Sequence, residues 1–363
     1  MAKSLKIILS KKKNKIILIV VGVVLLGIAL LIAFKAGLFS KNDSEPTPKK
    51  ENNEPVEEVK KLQIVDENST SRPYAVMINN INVARPLQSG LQDAYIIYEI
   101  IVEGGITRYM ALFLDQDTER IGSIRSARHY FLDYALENDA IYVHHGQSPQ
   151  ASRDFTALGV DRIEVSENKT GWRDRSLNVS SEHRLFTSIE MLENGLGNKR
   201  TERNKDLLLN YSIDEIDMSG LEGATPASNV SIKYSGSITS SYEYDSESKT
   251  YKRFVNGDAH TDYVTKEQYT FKNIITYQVD NYTLDDGENK GRQEIENIGS
   301  GTGYYIFCFI SICVYLQRIS KQKARSILIN QTKYYYENGE ELKVNDGNTF
   351  IQIQPEGQSL TIS

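Results

Sequence analysis

Only two cysteines occur in 363 residues and none precedes Cys308, so the fold cannot rest on a disulfide framework. Cys308 and Cys313 lie five apart, and on a strand their side chains would leave opposite faces, which argues against a bond between them. His-x-x-x-His pairs are missing, and His129, His183 and His260 are scattered without cysteine partners, so no metal is expected. Gly-x-Ser-x-Gly is also missing. Gly299-x-Gly301-x-Gly303 lies in strand-like sequence rather than at a strand-to-helix turn, so no dinucleotide and no other cofactor is expected. Ser166-Glu167-Asn168-Lys169 and Lys169-Thr170-Gly171 match two penicillin-binding elements but share Lys169, which one enzyme could not use in both roles. No repeat of solenoid period is visible.

Acidic residues are absent before Asp43, where Lys3, Lys6, Lys11, Lys12, Lys13, Lys15 and Lys35 surround residues 16–34. The overall charge is -6, so the chain without those seven lysines carries about -13, which argues against nucleic acid as a partner. Residues 16–34 hold no polar side chain and would span about 28 Å as a helix, close to the thickness of a bilayer core. A cleavable signal peptide would need a shorter apolar region and an Ala-x-Ala site. The expectation is therefore a basic cytoplasmic tail (1–15), a single-pass transmembrane helix (16–35) and an extracytoplasmic remainder. Residues 36–61, with Pro46, Pro48 and Pro55 and few large apolar side chains, read as a disordered tether.

The remainder is long enough for two domains. Over residues 62–200, apolar runs at 74–78, 94–102, 108–114, 140–144 and 162–165 read as strands. Periodic segments at 127–136, 149–158 and 185–192 read as helices. Gly104-Gly105 reads as a tight connection, so the sheet is expected to be mixed. Residues 201–227 lack a period and contain Gly220, Gly223 and Pro226, marking a linker. Over 228–363, short alternating runs at 230–234, 241–245, 250–255, 273–279 and 350–354 read as strands. The class expected is α+β: an N-terminal α/β domain with a mixed sheet, then a mostly β domain.

Several segments are familiar together: Arg72-Pro73-Tyr74-Ala75-Val76-Met77-Ile78-Asn79-Asn80, Ala84-Arg85-Pro86, Val102-Glu103-Gly104-Gly105-Ile106-Thr107-Arg108, Ile121-Gly122-Ser123-Ile124-Arg125-Ser126-Ala127-Arg128 and His145-Gly146-Gln147-Ser148-Pro149. With Tyr251, Arg253, Gly257, His260 and Asp262, they resemble the YerB-like lipoprotein family, over nearly all the chain after the tether. The resemblance implies a two-domain envelope protein, such as Gram-positive cells carry. It implies no catalytic residues, because the family is defined by a domain of unknown function. Two departures stand out. Members are often anchored through a lipidated cysteine, and after Gly303 this chain runs through both cysteines where the family pattern has a polar turn and a Trp-containing strand.

The densest chemistry falls on Glu99, Glu103, Arg108, Asp115, Arg125 and Arg128, since an arginine fork suits bidentate contact with phosphate or carboxylate. Two readings stand: an anion or pyrophosphate pocket, or an ion-pair network tying Glu99 and Glu103 to the arginines. Weaker candidates are His144, His145, Ser148 and His183; a histidine could serve Ser148 as base, but Pro149 reads as the first helical residue with Ser148 as its cap. A strand, an acid and Ser-Ile-Arg also loosely resemble the LytR-CpsA-Psr phosphotransferases over about twenty residues, without their full Arg/Asp set. The functional expectation is binding of a cell-wall polymer or an envelope protein. The alternative is a transferase or hydrolase acting on an anionic glycan or pyrophosphate-linked precursor through the arginines.

Overall fold

Tyr-Ala-Val-Met-Ile-Asn, rich in side chains that fit a pleated surface, forms strand β1 (Tyr74–Asn79), buried at every position. A run without polar alternation has no wet face, and β1 accordingly lies inside a sheet covered on both sides. β2 (Ile96–Ile101) and β3 (Thr107–Phe113) are antiparallel neighbours joined by a turn at Glu103–Gly105. Gly104 (φ 71°) and Gly105 (φ 69°) there adopt the left-handed conformation that side chains disfavour. Helix α1 (His129–Glu137) leads to β4 (Ile141–His144), and α2 (Pro149–Ala157) leads to β5 (Arg162–Glu164). Later come β6 (Asn229–Lys233), β7 (Thr239–Asp245), β8 (Thr250–Val255), β9 (Asp258–Ala259), β10 (Asn273–Val279), β11 (Gly299–Phe307), β12 (Ile310–Arg318), β13 (Thr349–Pro355) and β14 (Leu360–Ile362).

This computed structural model describes residues 60–318 and 331–363, and Val59–Ser363 form one compact unit. The expected tail, transmembrane helix and nearly all of the tether lie outside the described residues. Among the described residues no helix is long and apolar enough to cross a membrane.

The fold is mixed and sheet-rich with few helices. Its main sheet has 11 strands and includes the order β12-β11-β10-β13-β2-β3-β1-β4-β5. β1, β4 and β5 run parallel, β3 is antiparallel to β1 and β2, and β13 joins β2 in parallel. Strands from 62–200 and from 228–363 thus share one sheet. A six-stranded sheet of β9, β8, β7, β6 and β14, with Thr270–Phe271 beside β8, covers one face. The helices lie on the other. Tyr98 shows the division: its ring sits 5.0 Å from Tyr134 of α1, while its neighbour Glu99 points toward β8.

Three local expectations need correction. The segment at 185–192 is not one helix but a strand, Leu185–Thr187, then a short helix, Ile189–Asn194, because the Ser188 side chain caps Met191 and starts the helix there. Helix α1 begins at His129 rather than at 127, with Arg128 still extended (φ -126°, ψ 145°). Within 201–227, Thr225–Pro226 pairs with β12. Cys308 and Cys313 are free: Cys308 and Phe309 form the turn between β11 and β12, and Cys313 stands opposite Tyr304.

Candidate functional site

Asn79, His144 and Glu164 end three adjacent parallel strands, the edge where α/β sheets place ligands. Arg108 stands opposite Asn79 in the register, so β3 begins at this same edge, and Glu103 follows the end of β2 beside it. Residues 123–128 cross over the edge and are laced to it by backbone hydrogen bonds. Arg125 N–H donates to Met77 O (2.9 Å), Ala127 N–H to Gly146 O (2.9 Å), and His145 N–H to Arg125 O (3.0 Å). Gly146 (φ 74°) turns the chain between these contacts.

This lacing brings Arg108, Arg125 and Arg128 together. Arg128 forks onto Glu103 at 2.5 and 2.9 Å, and Arg125 reaches Glu182 at 2.7 Å. Burial alone would raise the Glu103 carboxyl, but the Arg128 hydrogen bond and charge hold it below its usual range. The Arg125 hydrogen bond does the same for Glu182. Arg108 differs from both: it is buried, donates to Ser126 O at 2.6 Å, leaves Nε without a partner, and has no carboxylate within 4.0 Å among the described residues. Burial and the neighbouring Arg128 cation pull its guanidinium down to about 9. Glu103 offsets part of this charge but is already bound to Arg128, so a further anion beside this buried cation would be stabilised.

The histidines border this group with their lone pairs occupied. His144 Nδ1 lies 2.9 Å from Gly146 O, and since a carbonyl only accepts, Nδ1 carries the proton and Nε2 faces Arg162 Nη1 at 3.3 Å. Burial pushes His144 down to about 4. His145 repeats the pattern, Nδ1 donating to Val165 O (2.8 Å) and Nε2 facing Arg173 Nη2 (3.2 Å). His183 meets Asn79 Nδ2 through Nδ1 at 3.1 Å, and burial lowers it as well. Ser148 Oγ accepts from Ala151 N at 3.1 Å and caps α2; no hydrogen bond joins it to a histidine among the described residues.

Two candidates fall elsewhere. Glu99 does not bind Arg108, Arg125 or Arg128: it lies between the sheets, fully buried, 2.6 Å from Arg253 of β8. Thr107 and Ser240 donate to its oxygens at 2.7 and 2.9 Å. Strand alternation explains the separation, because Arg108 takes the helix face of β3, and Tyr109, near Arg253, takes the other. Asp115 follows β3 at its far end, with φ 53°, a seven-residue strand away from the arginines. The missed residues, Arg253 and Glu182, lie 154 and 57 positions from their partners. For Arg253 a signal existed, since it shares the inward side of β8 with Tyr251 and Val255. Among the described residues no group of three His, Cys, Asp or Glu could hold a metal.

Two family models match the chain: the N-terminal domain of a protein of unknown function, DUF3048, over residues 61–202, and its C-terminal domain over 230–311. The second match stops inside β12, in the stretch that departs from the family pattern. "Putative lipoprotein YerB" of Bacillus subtilis is 30% identical over 268 residues, covering 72% of this chain and 77% of that protein. The crystal structure of the YerB protein from the same organism is similar with a TM-score of 0.67 and 26% identity, over 80% of this chain and 94% of that one. With both domain models matched in order and this level of identity, the chain belongs to the DUF3048, or YerB-like, family.

Proposed function

We propose that this protein is held at the outer side of the cell membrane by residues 16–35 and binds a phosphate- or carboxylate-bearing envelope component, a wall polymer or a partner presenting such a group, at Arg108, Arg125 and Arg128. The observation that carries the reading is Arg108, buried beside two more arginines with no carboxylate within 4.0 Å among the described residues, Glu103 being bound to Arg128. Arg125, about one-fifth exposed, and its partner Glu182, more than half exposed, form the open side. There an incoming anion would exchange one carboxylate for another at little cost. Relationship to a protein named as a lipoprotein supports the location. Binding is favoured over transfer or hydrolysis because His144 and His145 face arginines and Ser148 is engaged as a cap, so none of these candidates pairs as nucleophile and base among the described residues.

Calorimetric titration of the full chain in detergent with inorganic pyrophosphate, and with purified anionic wall polymer, tests the reading. Binding should weaken with salt and fall about tenfold in Arg125→Gln. Equal heats from wild type and variant would rule the site out. Protease added to intact protoplasts should digest the globular part; protection would overturn the location.

A further inference from the structure

On the opposite face of the main sheet, a cavity of about 340 Å³ opens between residues 82–86 and the 256–261 hairpin. Its walls are tied together: His260 Nε2 hydrogen-bonds Gln88 Oε1, Tyr263 N–H donates to Gln88 O (2.8 Å), and Gly90 N–H donates to Asp262 Oδ2 (2.8 Å). Gln88 is oriented by its amide nitrogen, which donates to Asn79 O at 2.6 Å, so its oxygen faces His260. His260 Nε2 therefore carries the proton. Its Nδ1 is a buried acceptor without a partner, on a side chain only 2% exposed. Arg85 is held by one edge, Nε and Nη2 donating to Asn80 at 3.1 Å each, and has no carboxylate within 4.0 Å among the described residues. Asn82, Asn256, Asp258 and Thr261, with Pro86 and Ala259, complete the lining.

A cavity of this size holds a single sugar-sized ring. Its lining mixes one cation, one carboxylate, two amides and a hydroxyl, which suits a ligand with several hydroxyls and one acidic group. A bare anion would meet Asp258, and an apolar ligand would leave Arg85 unanswered. We propose that this cavity binds a sugar unit carrying one carboxylate or phosphate, with Arg85 on the acidic group and Asp258 accepting from ring hydroxyls. This site is separate from the arginine group of the proposed function: Tyr109, whose ring lies 5.9 Å from that of His260, alternates with Arg108 across β3.

Saturation-transfer NMR and calorimetry on the full chain in detergent, with glucuronic acid, glucose 6-phosphate, glucose and inorganic phosphate as probes, test the assignment. Saturable binding of an acidic sugar is expected, with the carboxylate and phosphate arms deciding which acid is preferred. Glucose and Arg85→Gln should each lower affinity about tenfold or more, as loss of a charge-assisted contact does. Arg125→Gln should leave it unchanged. Asn82→Ala, on an exposed position, and Thr261→Ala keep the test open if Arg85→Gln does not fold, and each should weaken binding several-fold. No saturable binding, equal affinity for glucose and glucuronic acid, or wild-type affinity in Arg85→Gln (or in both alanine variants) would overturn the proposal.

Discussion

Glu99 with Arg253, and Glu103 and Glu182 with Arg108, Arg125 and Arg128, are built from the same ions and lie on opposite faces of one sheet. The first pair is fully buried: Thr107 and Ser240 donate to Glu99, and the Arg253 guanidinium lies 4.5 Å from the centre of the Phe350 ring, with its Nε and Nη1 left without hydrogen-bond partners among the described residues. The second group has more cations than carboxylates and a half-exposed edge at Glu182. An arginine becomes a fastener where a carboxylate and packed rings enclose it, and a receptor where the enclosure is incomplete. Residue type does not decide between these roles; whether a buried carboxylate faces the guanidinium does.

The sharpest way to break this comparison is to delete one partner on each side. Arg253→Ala should lower unfolding free energy by about 3–5 kcal/mol, read from denaturant midpoints, because it strands Glu99 between two sheets. A loss near that of an exposed pair would mean the closed pair is not a fastener. Acidification comes next. His144 is neutral when folded because burial lowers it from 6.5 to about 4, so its stabilisation is full above pH 6.5 and is lost as pH falls toward 4, by roughly 3 kcal/mol. Burial shifts His260 the same way, adding to the slope. Midpoints that stay flat from pH 7 to 4.5 would show that these histidines are not sealed. Ser148→Ala, beside the open group, should cost about 1 kcal/mol through the lost cap and leave anion binding intact; lost binding would instead make the serine part of the site. Arg125→Ala should have the smallest effect on stability, under about 1 kcal/mol, while still weakening anion binding.

Much of the fold was legible in residue patterns. The alternating Thr-Tyr-Lys-Arg-Phe-Val and the unbroken Tyr-Ala-Val-Met-Ile-Asn each formed the strand their period implied, and Ser148-Pro149 opened its helix. The segment at 185–192 was misread because strand and helix meet there at a capping serine, and a single window averages their two periods. The arginines were found as a group because they cluster along the chain. Glu99 was assigned to them for the same reason, although its partner comes from another sheet.

From the sequence alone came the long apolar run, the lysine asymmetry, the strand periods and the richness in arginine, all properties of neighbouring residues. Tertiary structure alone decided which arginine meets which carboxylate and which stays without one. Strand alternation sends Arg108 and Tyr109 to opposite faces, and the partner waiting on each face arrives from distant parts of the chain.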